Sequence, residues 1–211
     1  MRVGILGSGL MGAKLGTLFA RAGHEVVFSY SRSDAKLKRL AREAKAEAGT
    51  PAEAVRHADA VLLAVHWSRL PDVLRKAGDL SGKVLVSCSL PMNKADSALV
   101  VGKTTSGAEV LARRARGAHV VSAFGTVPSE VLFSVFEGRR HKHRPSLAYC
   151  GDQAGAKKRA ATLIRAVGFE PVDAGPLRIA RYLEPFTLLI AQLAYEGKGG
   201  PKLAYRLERF R

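Results

Sequence analysis

Gly7-Ser8-Gly9-Leu10-Met11-Gly12 is the stretch whose reading decides the fold. It follows the apolar run Arg2-Val3-Gly4-Ile5-Leu6 and opens an amphipathic segment from Lys14 to Ala22. Between a strand and a helix, each glycine of such a G-x-G-x-x-G run has a physical task. The first permits a tight turn, the second lets backbone approach a pyrophosphate, and the third lets helix and strand pack closely. The phosphates then meet free N–H groups at the positive end of the helix. A second strand pattern, His24-Glu25-Val26-Val27-Phe28-Ser29, completes the βαβ start, so a dinucleotide site is expected here.

Outward from that motif the chain alternates strand and helix. The expected order is strand Arg2–Leu6, helix Leu10–Ala22, strand Glu25–Ser29, helix Ser33–Ala48, short helix Ala52–His57 and strand Asp59–Val65. Helix Ser68–Ala77, strand Lys83–Cys88, helix Ser106–Arg116 and strand His119–Phe124 follow. Continuous apolar strands such as Asp59-Ala60-Val61-Leu62-Leu63-Ala64-Val65 are the kind buried on both faces. Repeated βα units of this type predict a parallel sheet covered by helices on both sides, a doubly wound, Rossmann-type α/β fold. Past Gly125 the pattern loosens and resumes with strand Pro145–Cys150, helix Gln153–Val167, strand Phe169–Asp173, a long apolar helix from Ile179 to Tyr195 and a last basic helix. The division expected is a nucleotide-binding domain over 1–125 and a small α/β annex over 126–211, ending in helices, that covers the sheet's C-terminal edge. The apolar helix around Phe186 to Leu193 is expected to serve both as core and as a homodimer face.

Composition agrees with a globular chain. The 211 residues are 47% hydrophobic, enough to bury a core. No apolar run approaches the roughly 18 residues of a membrane span, and a strand begins directly after Met1-Arg2. The expectation is a cytoplasmic protein without a membrane partner. Cys88 and Cys150 lie in strand-like apolar runs, where a free thiol behaves as a small hydrophobe, and are assigned no chemistry. The charge is unusual: 34 Lys and Arg against 18 Asp and Glu give +16. That suits a strongly anionic ligand. Nucleic acid is set aside, because the basic residues are scattered over several segments with little aromatic interleaving and no nucleic-acid-binding signature.

The end of the second strand decides which nucleotide is expected. An NAD site places Asp or Glu about 20 residues past the glycines, where it accepts from the ribose 2′-hydroxyl. Here Tyr30-Ser31-Arg32-Ser33 stands instead. A guanidinium flanked by hydroxyls suits a 2′-phosphate. NADP(H) is therefore favoured over NAD, with Arg32 the main phosphate ligand and Asp34 read as a helix cap.

No residue stands clearly in a proton-transfer role. His24, His57 and His119 look like surface residues at loop-to-strand junctions, and His141 and His143 sit among four cations that would repel a metal. Only His66 lies at a strand's C-terminal end. Hydride transfer between two ring cofactors needs no such group: the protein has to hold reacting carbons about 3–3.5 Å apart.

Gly7-Ser8-Gly9-Leu10-Met11-Gly12, Ser31-Arg32, Val65-His66-Trp67, Ser122-Ala123-Phe124-Gly125-Thr126-Val127-Pro128, Cys150-Gly151-Asp152 and Asp173-Ala174-Gly175-Pro176-Leu177 with Arg181 and Glu184 together resemble the NADPH-dependent coenzyme F420 reductases. That family moves a hydride between NADP(H) and an 8-hydroxy-5-deazaflavin. The architecture is also similar to the reductase domain of membrane metalloreductases, which passes electrons from NADPH to a flavin. The resemblance implies that Ser8, Gly9, Leu10 and Met11 line the pyrophosphate within the Gly7–Gly12 turn, and that Ser31, Arg32 and Ser33 hold the 2′-phosphate. It places Val65, His66 and Ala123 at the ribose and nicotinamide. It places Trp67, Ser89, Pro91, Gly125, Thr126 and Pro128 at the acceptor ring, closed by Leu177 and Arg181.

Two positions depart from the family. Members usually carry His or Asn where this chain has Gly125, and Pro where it has His66; the loop Cys88-Ser89-Leu90-Pro91 keeps part of the pattern. The departures bear on the second ring rather than on the NADP half. The function expected is hydride exchange between NADP(H) and a small anionic acceptor, a deazaflavin first. The alternatives are a reductase of FMN, FAD or quinone, and a non-catalytic NADPH-binding sensor.

Overall fold

The computed structural model describes residues 1–210. Its strands are β1 (Arg2–Leu6), β2 (Glu25–Ser29), β3 (Glu47–Ala48), β4 (Ala60–Leu63), β5 (Val84–Ser87), β6 (His119–Ser122), β7 (Ser146–Gly151) and β8 (Glu170–Asp173). They form one eight-stranded sheet in the order β3-β2-β1-β4-β5-β6-β7-β8. Pairing is parallel from β3 to β6, with registers such as Val3 on Val26 and Gly4 on Val61. The α/β doubly wound fold expected from the motif is the fold observed.

Helices α1 (Leu10–Arg21), α2 (Asp34–Ala44), α3 (Pro51–Arg56), α4 (Leu70–Ala77), α5 (Gly107–Arg114), α6 (Leu132–Glu137), α7 (Ala154–Ala166) and α8 (Ala180–Ala191) cover both faces. Side chains alternate across each strand. Val3 and Ile5 of β1 and Leu62 of β4 enter the cluster with Leu15, Phe19 and Leu163. Leu6, Val61 and Leu63 enter the opposite cluster with Leu70, Val73 and Leu111. Both faces of the central strands are therefore sealed, and ligands are left the edge where the strands end.

Four expectations are corrected. The sheet is not wholly parallel: β7 runs antiparallel to β6, pairing Val121 with Gly151 and Ser122 with Cys150, and β8 follows β7. The helix expected to reach Ala48 stops at Ala44, because Lys45 turns left-handed at φ 53° and the chain enters β3. Ser33, not Asp34, caps α2: its Oγ accepts from Lys36 N–H at 3.3 Å. No basic helix forms over residues 202–210, which run without regular structure, Arg211 lying outside the described residues. The apolar helix near the end is α8, continued by a π-helical turn, Gln192–Glu196. No helix among the described residues is long and apolar enough to cross a membrane.

Candidate functional site: a long cleft and a small crevice

The glycine turn is a geometric necessity at two of its glycines, Gly7 and Gly12. Gly7 has φ +114°, and a Cβ there would lie 2.3 Å from the Ala64 carbonyl oxygen. At Gly12 a Cβ would meet the Gly7 carbonyl oxygen at 1.8 Å, so α1 can pack on the turn only without a side chain. Gly9 faces open space, with nothing within 4 Å of an added Cβ. It is also the N-cap of α1 and offers no side-chain cap, which leaves the first-turn N–H groups free for an anion. Ser8 stiffens the turn, donating from its N–H to Tyr30 O at 3.3 Å and from Oγ to Ser29 O at 3.0 Å.

At the end of β2, Tyr30 turns left-handed (φ 57°) and sends Ser31, Arg32 and Ser33 along the same wall. Ser31 Oγ accepts from Ser33 N–H at 3.2 Å. Arg32 is exposed and enters no ion pair among the described residues. Tyr30 donates its hydroxyl to Asp72 Oδ2 at 2.8 Å, beneath the Lys76 ammonium at 5.4 Å. Burial, helped by that bond, pushes the Tyr30 phenol up to about 12. The same bond, with Lys76 and Arg75, holds the Asp72 carboxyl down at about 2.

Gly7, Ser8, Gly9, Ser31, Arg32, Ser33, Val65 and His66 line one continuous cleft of about 1010 Å³. Its wall carries six cations against four carboxylates. One of those carboxylates, Asp72, is already held by Lys76, Arg75 and Tyr30. Leu10, Met11 and Gly12 lie in the first turn of α1 but outside the cleft wall; Leu10 projects to solvent at 73% exposure. His66 caps the helical turn Trp67–Arg69. Its Nδ1 accepts from Ser68 N–H at 3.2 Å, so the other nitrogen, Nε2, carries the proton toward Asp96 Oδ1 at 3.1 Å.

The residues expected at the acceptor are dispersed. Ser89, Gly125 and Thr126 line a second hollow of only about 10 Å³, together with Cys88, Thr187 and Glu184; Ala123, expected beside Val65 and His66 at the nicotinamide, lines this hollow and not the long cleft. Ser89 Oγ is occupied in bridging Val65 O (2.7 Å) and Val65 N–H (3.3 Å). Trp67 is half-buried against the second core cluster, outside both hollows. Pro91 is buried against Gly107, and Pro128 is the buried N-cap of the turn before α6. Leu177 is buried and donates its N–H to Asp152 Oδ1 at 2.8 Å. Arg181 is clamped on Glu109 through Nε at 2.8 Å and a terminal nitrogen at 2.6 Å, which holds the Glu109 carboxyl below its usual range.

Several wall residues were not expected. Tyr30, Lys36, Thr50, Pro51, Lys76 and Lys94 line the cleft, brought there by the starts of α2 and α3, by α4 and by the loop after β5. The capping box of α3 was legible as Thr50-Pro51-Ala52-Glu53: Thr50 Oγ1 accepts from Glu53 N–H and Thr50 N–H donates to Glu53. Glu184, 4% exposed, is fixed by N–H groups of Gly107 and Ala108, each at 2.9 Å, at the start of α5; burial still raises its pKa. Both thiols are pushed up to about 12 by burial, consistent with inert cysteines. His24, expected at the surface, is half-buried, and burial lowers its pKa.

Residues 2–91, which hold the glycine turn, Ser31 to Ser33 and His66, match the family described as NADP oxidoreductase, coenzyme F420-dependent. Over those residues the chain is similar to the F420-dependent NADP oxidoreductases. Across 187 residues, 89% of this chain, it is 33% identical to metalloreductase STEAP3 of Rattus norvegicus, of whose length it spans 36%. A protein of Arthrobacter sp. FB24, provisionally assigned as an F420-dependent NADP reductase, superposes with a TM-score of 0.87 at 24% identity, over 99% of this chain and 100% of that one. A hypothetical protein of Sinorhizobium meliloti, SMa0349, gives 0.76 at 26% identity, over 99% and 96% of the two chains. The match ends before Gly125, Thr126 and the annex.

Proposed function

We propose that this chain binds NADP(H) in the long cleft and exchanges a hydride with a planar redox ring, a deazaflavin of the coenzyme F420 type being the first candidate. The observation that carries this reading is one wall holding both a bare helix N-terminus and the unpaired Arg32 between two serines, with no carboxylate on β2 past Glu25. Gly7 and Gly12 leave the turn tight, and Gly9 leaves room where a pyrophosphate would approach. Ser8, Gly9 and the first-turn amides of α1 would hold the pyrophosphate, and Ser31, Arg32 and Ser33 the 2′-phosphate. When bound, the nicotinamide supplies the hydride. This chain's residues bind, orient and exclude water: the His66 imidazole is fixed at both nitrogens, and Ser89 ties the ends of β4 and β5 together beneath it.

The similarity to a metalloreductase over 89% of the chain favours a second acceptor, a flavin such as FMN or FAD. Stopped-flow mixing of the protein with NADPH and either coenzyme F420 or FMN separates the readings. Loss of 340 nm absorbance that depends on one acceptor is expected and names it. Tight NADPH binding without turnover of any acceptor contradicts hydride exchange and leaves the sensor.

A further inference from the structure

The tail that does not become a helix returns along β7 and delivers Tyr205 to the acceptor crevice. Ser146 N–H donates to Tyr205 O at 2.7 Å, and Leu207 N–H donates to Ser146 Oγ at 2.9 Å. The Tyr205 ring stands edge-on to Phe186 at 5.2 Å between centroids. Its hydroxyl therefore arrives at a fixed point, 2.9 Å from Ala148 N and 2.9 Å from Thr126 Oγ1.

Donor chemistry fixes the direction of one of these bonds. A backbone N–H can only donate, so Ala148 gives its proton to the Tyr205 oxygen. Between the Tyr205 and Thr126 hydroxyls, either oxygen can give the proton that joins them. Where Tyr205 gives that proton, Thr126, 3% exposed, keeps its own for a partner in the crevice. Thr126 lines the crevice beside Ala123 and Gly125, a corner that Gly125 leaves without a side chain. A phenol donating into a hydroxyl also strengthens that hydroxyl as a donor.

We propose that Tyr205 is a positioning residue that fixes Thr126 as the hydrogen-bond donor to a polar ring atom of the acceptor. The inference rests on the acceptor reading given above, and it adds a residue from the far end of the chain to that site. Tyr205 acts through Thr126; Thr126 touches the acceptor.

A double-mutant cycle read on acceptor kinetics tests it. Tyr205→Phe keeps the ring on Phe186 and removes only the hydroxyl, Thr126→Val removes the donor, and Thr126→Ser restores it. At saturating NADPH, with coenzyme F420 or FMN as acceptor, Tyr205→Phe and Thr126→Val each lower kcat/KM about five- to tenfold. The double variant falls no further than Thr126→Val, and Thr126→Ser stays within about twofold of the parent. NADPH affinity by calorimetry stays level throughout. Multiplicative losses in an active enzyme, or a Tyr205→Phe variant that melts earlier with unchanged acceptor kcat/KM, overturn this inference and leave the hydride reading intact. A parent protein that binds NADPH and turns over neither acceptor overturns the hydride reading and this inference with it.

Discussion

The two hollows at the sheet's edge are built in opposite ways. The nucleotide cleft encloses about 1010 Å³ and is shaped by backbone: a glycine turn, an uncapped helix start and a left-handed Tyr30. The small crevice holds about 10 Å³, room for one water, and is shaped by side chains of Ser89, Thr126, Leu183, Glu184 and Thr187. Glu184 and the Arg181–Glu109 pair lock its α8 wall to the start of α5. The cleft stands open, whereas the crevice is closed by these contacts.

That contrast is broken most forcefully at the glycines. Gly12→Ala places a methyl against the Gly7 carbonyl oxygen, so destabilisation of about 1–3 kcal/mol and a melting temperature lower by about 2–12 °C are expected. Gly9→Ala meets nothing in the protein. Its melting temperature should match the parent while NADPH binds about 10- to 100-fold more weakly, through lost contact between amides and phosphate. If Gly9→Ala binds NADPH normally, the turn is not where the pyrophosphate rests.

A smaller effect probes the crevice wall. Glu109 is held below its usual pKa of 4.5, first by hydrogen bonds from Arg181. A depressed carboxyl contributes stability that is present above its unfolded value and lost as pH falls through the folded one. Glu109→Gln should therefore lower the melting temperature modestly at pH 7 and flatten its fall below about pH 4.5, the two proteins converging in acid; the effect is small because a partly exposed pair is screened. An unchanged acid limb would remove this clamp from the stability of the annex.

The cleft was legible because its parts are local. Gly7 to Gly12 and Tyr30 to Ser33 sit within one βαβ start, where spacing alone sets which atoms face each other. The small crevice draws on Ser89, Gly125, Ala148 and Leu183, far apart in the chain; Ala148 comes from β7, which reverses direction, and no apolar run encodes strand direction. β3 is two exposed residues, Glu47 and Ala48, and gives no hydrophobic signal. The tail from Lys202 has the spacing of a helix, yet pairing of Tyr205 with Ser146, Ala148 and Thr126 overrides that propensity. Ser33 was read as a phosphate ligand while also serving as the cap, and one hydroxyl at a helix start can take either role in a sequence.

Calorimetric titration of NADPH and NADH into the parent and Arg32→Ala proteins tests the 2′-phosphate grip most directly. The parent should prefer NADPH, and Arg32→Ala should weaken NADPH about 10- to 100-fold while leaving NADH within about twofold. Equal weakening of both nucleotides, or a parent protein that does not bind NADPH, would contradict the reading of this cleft.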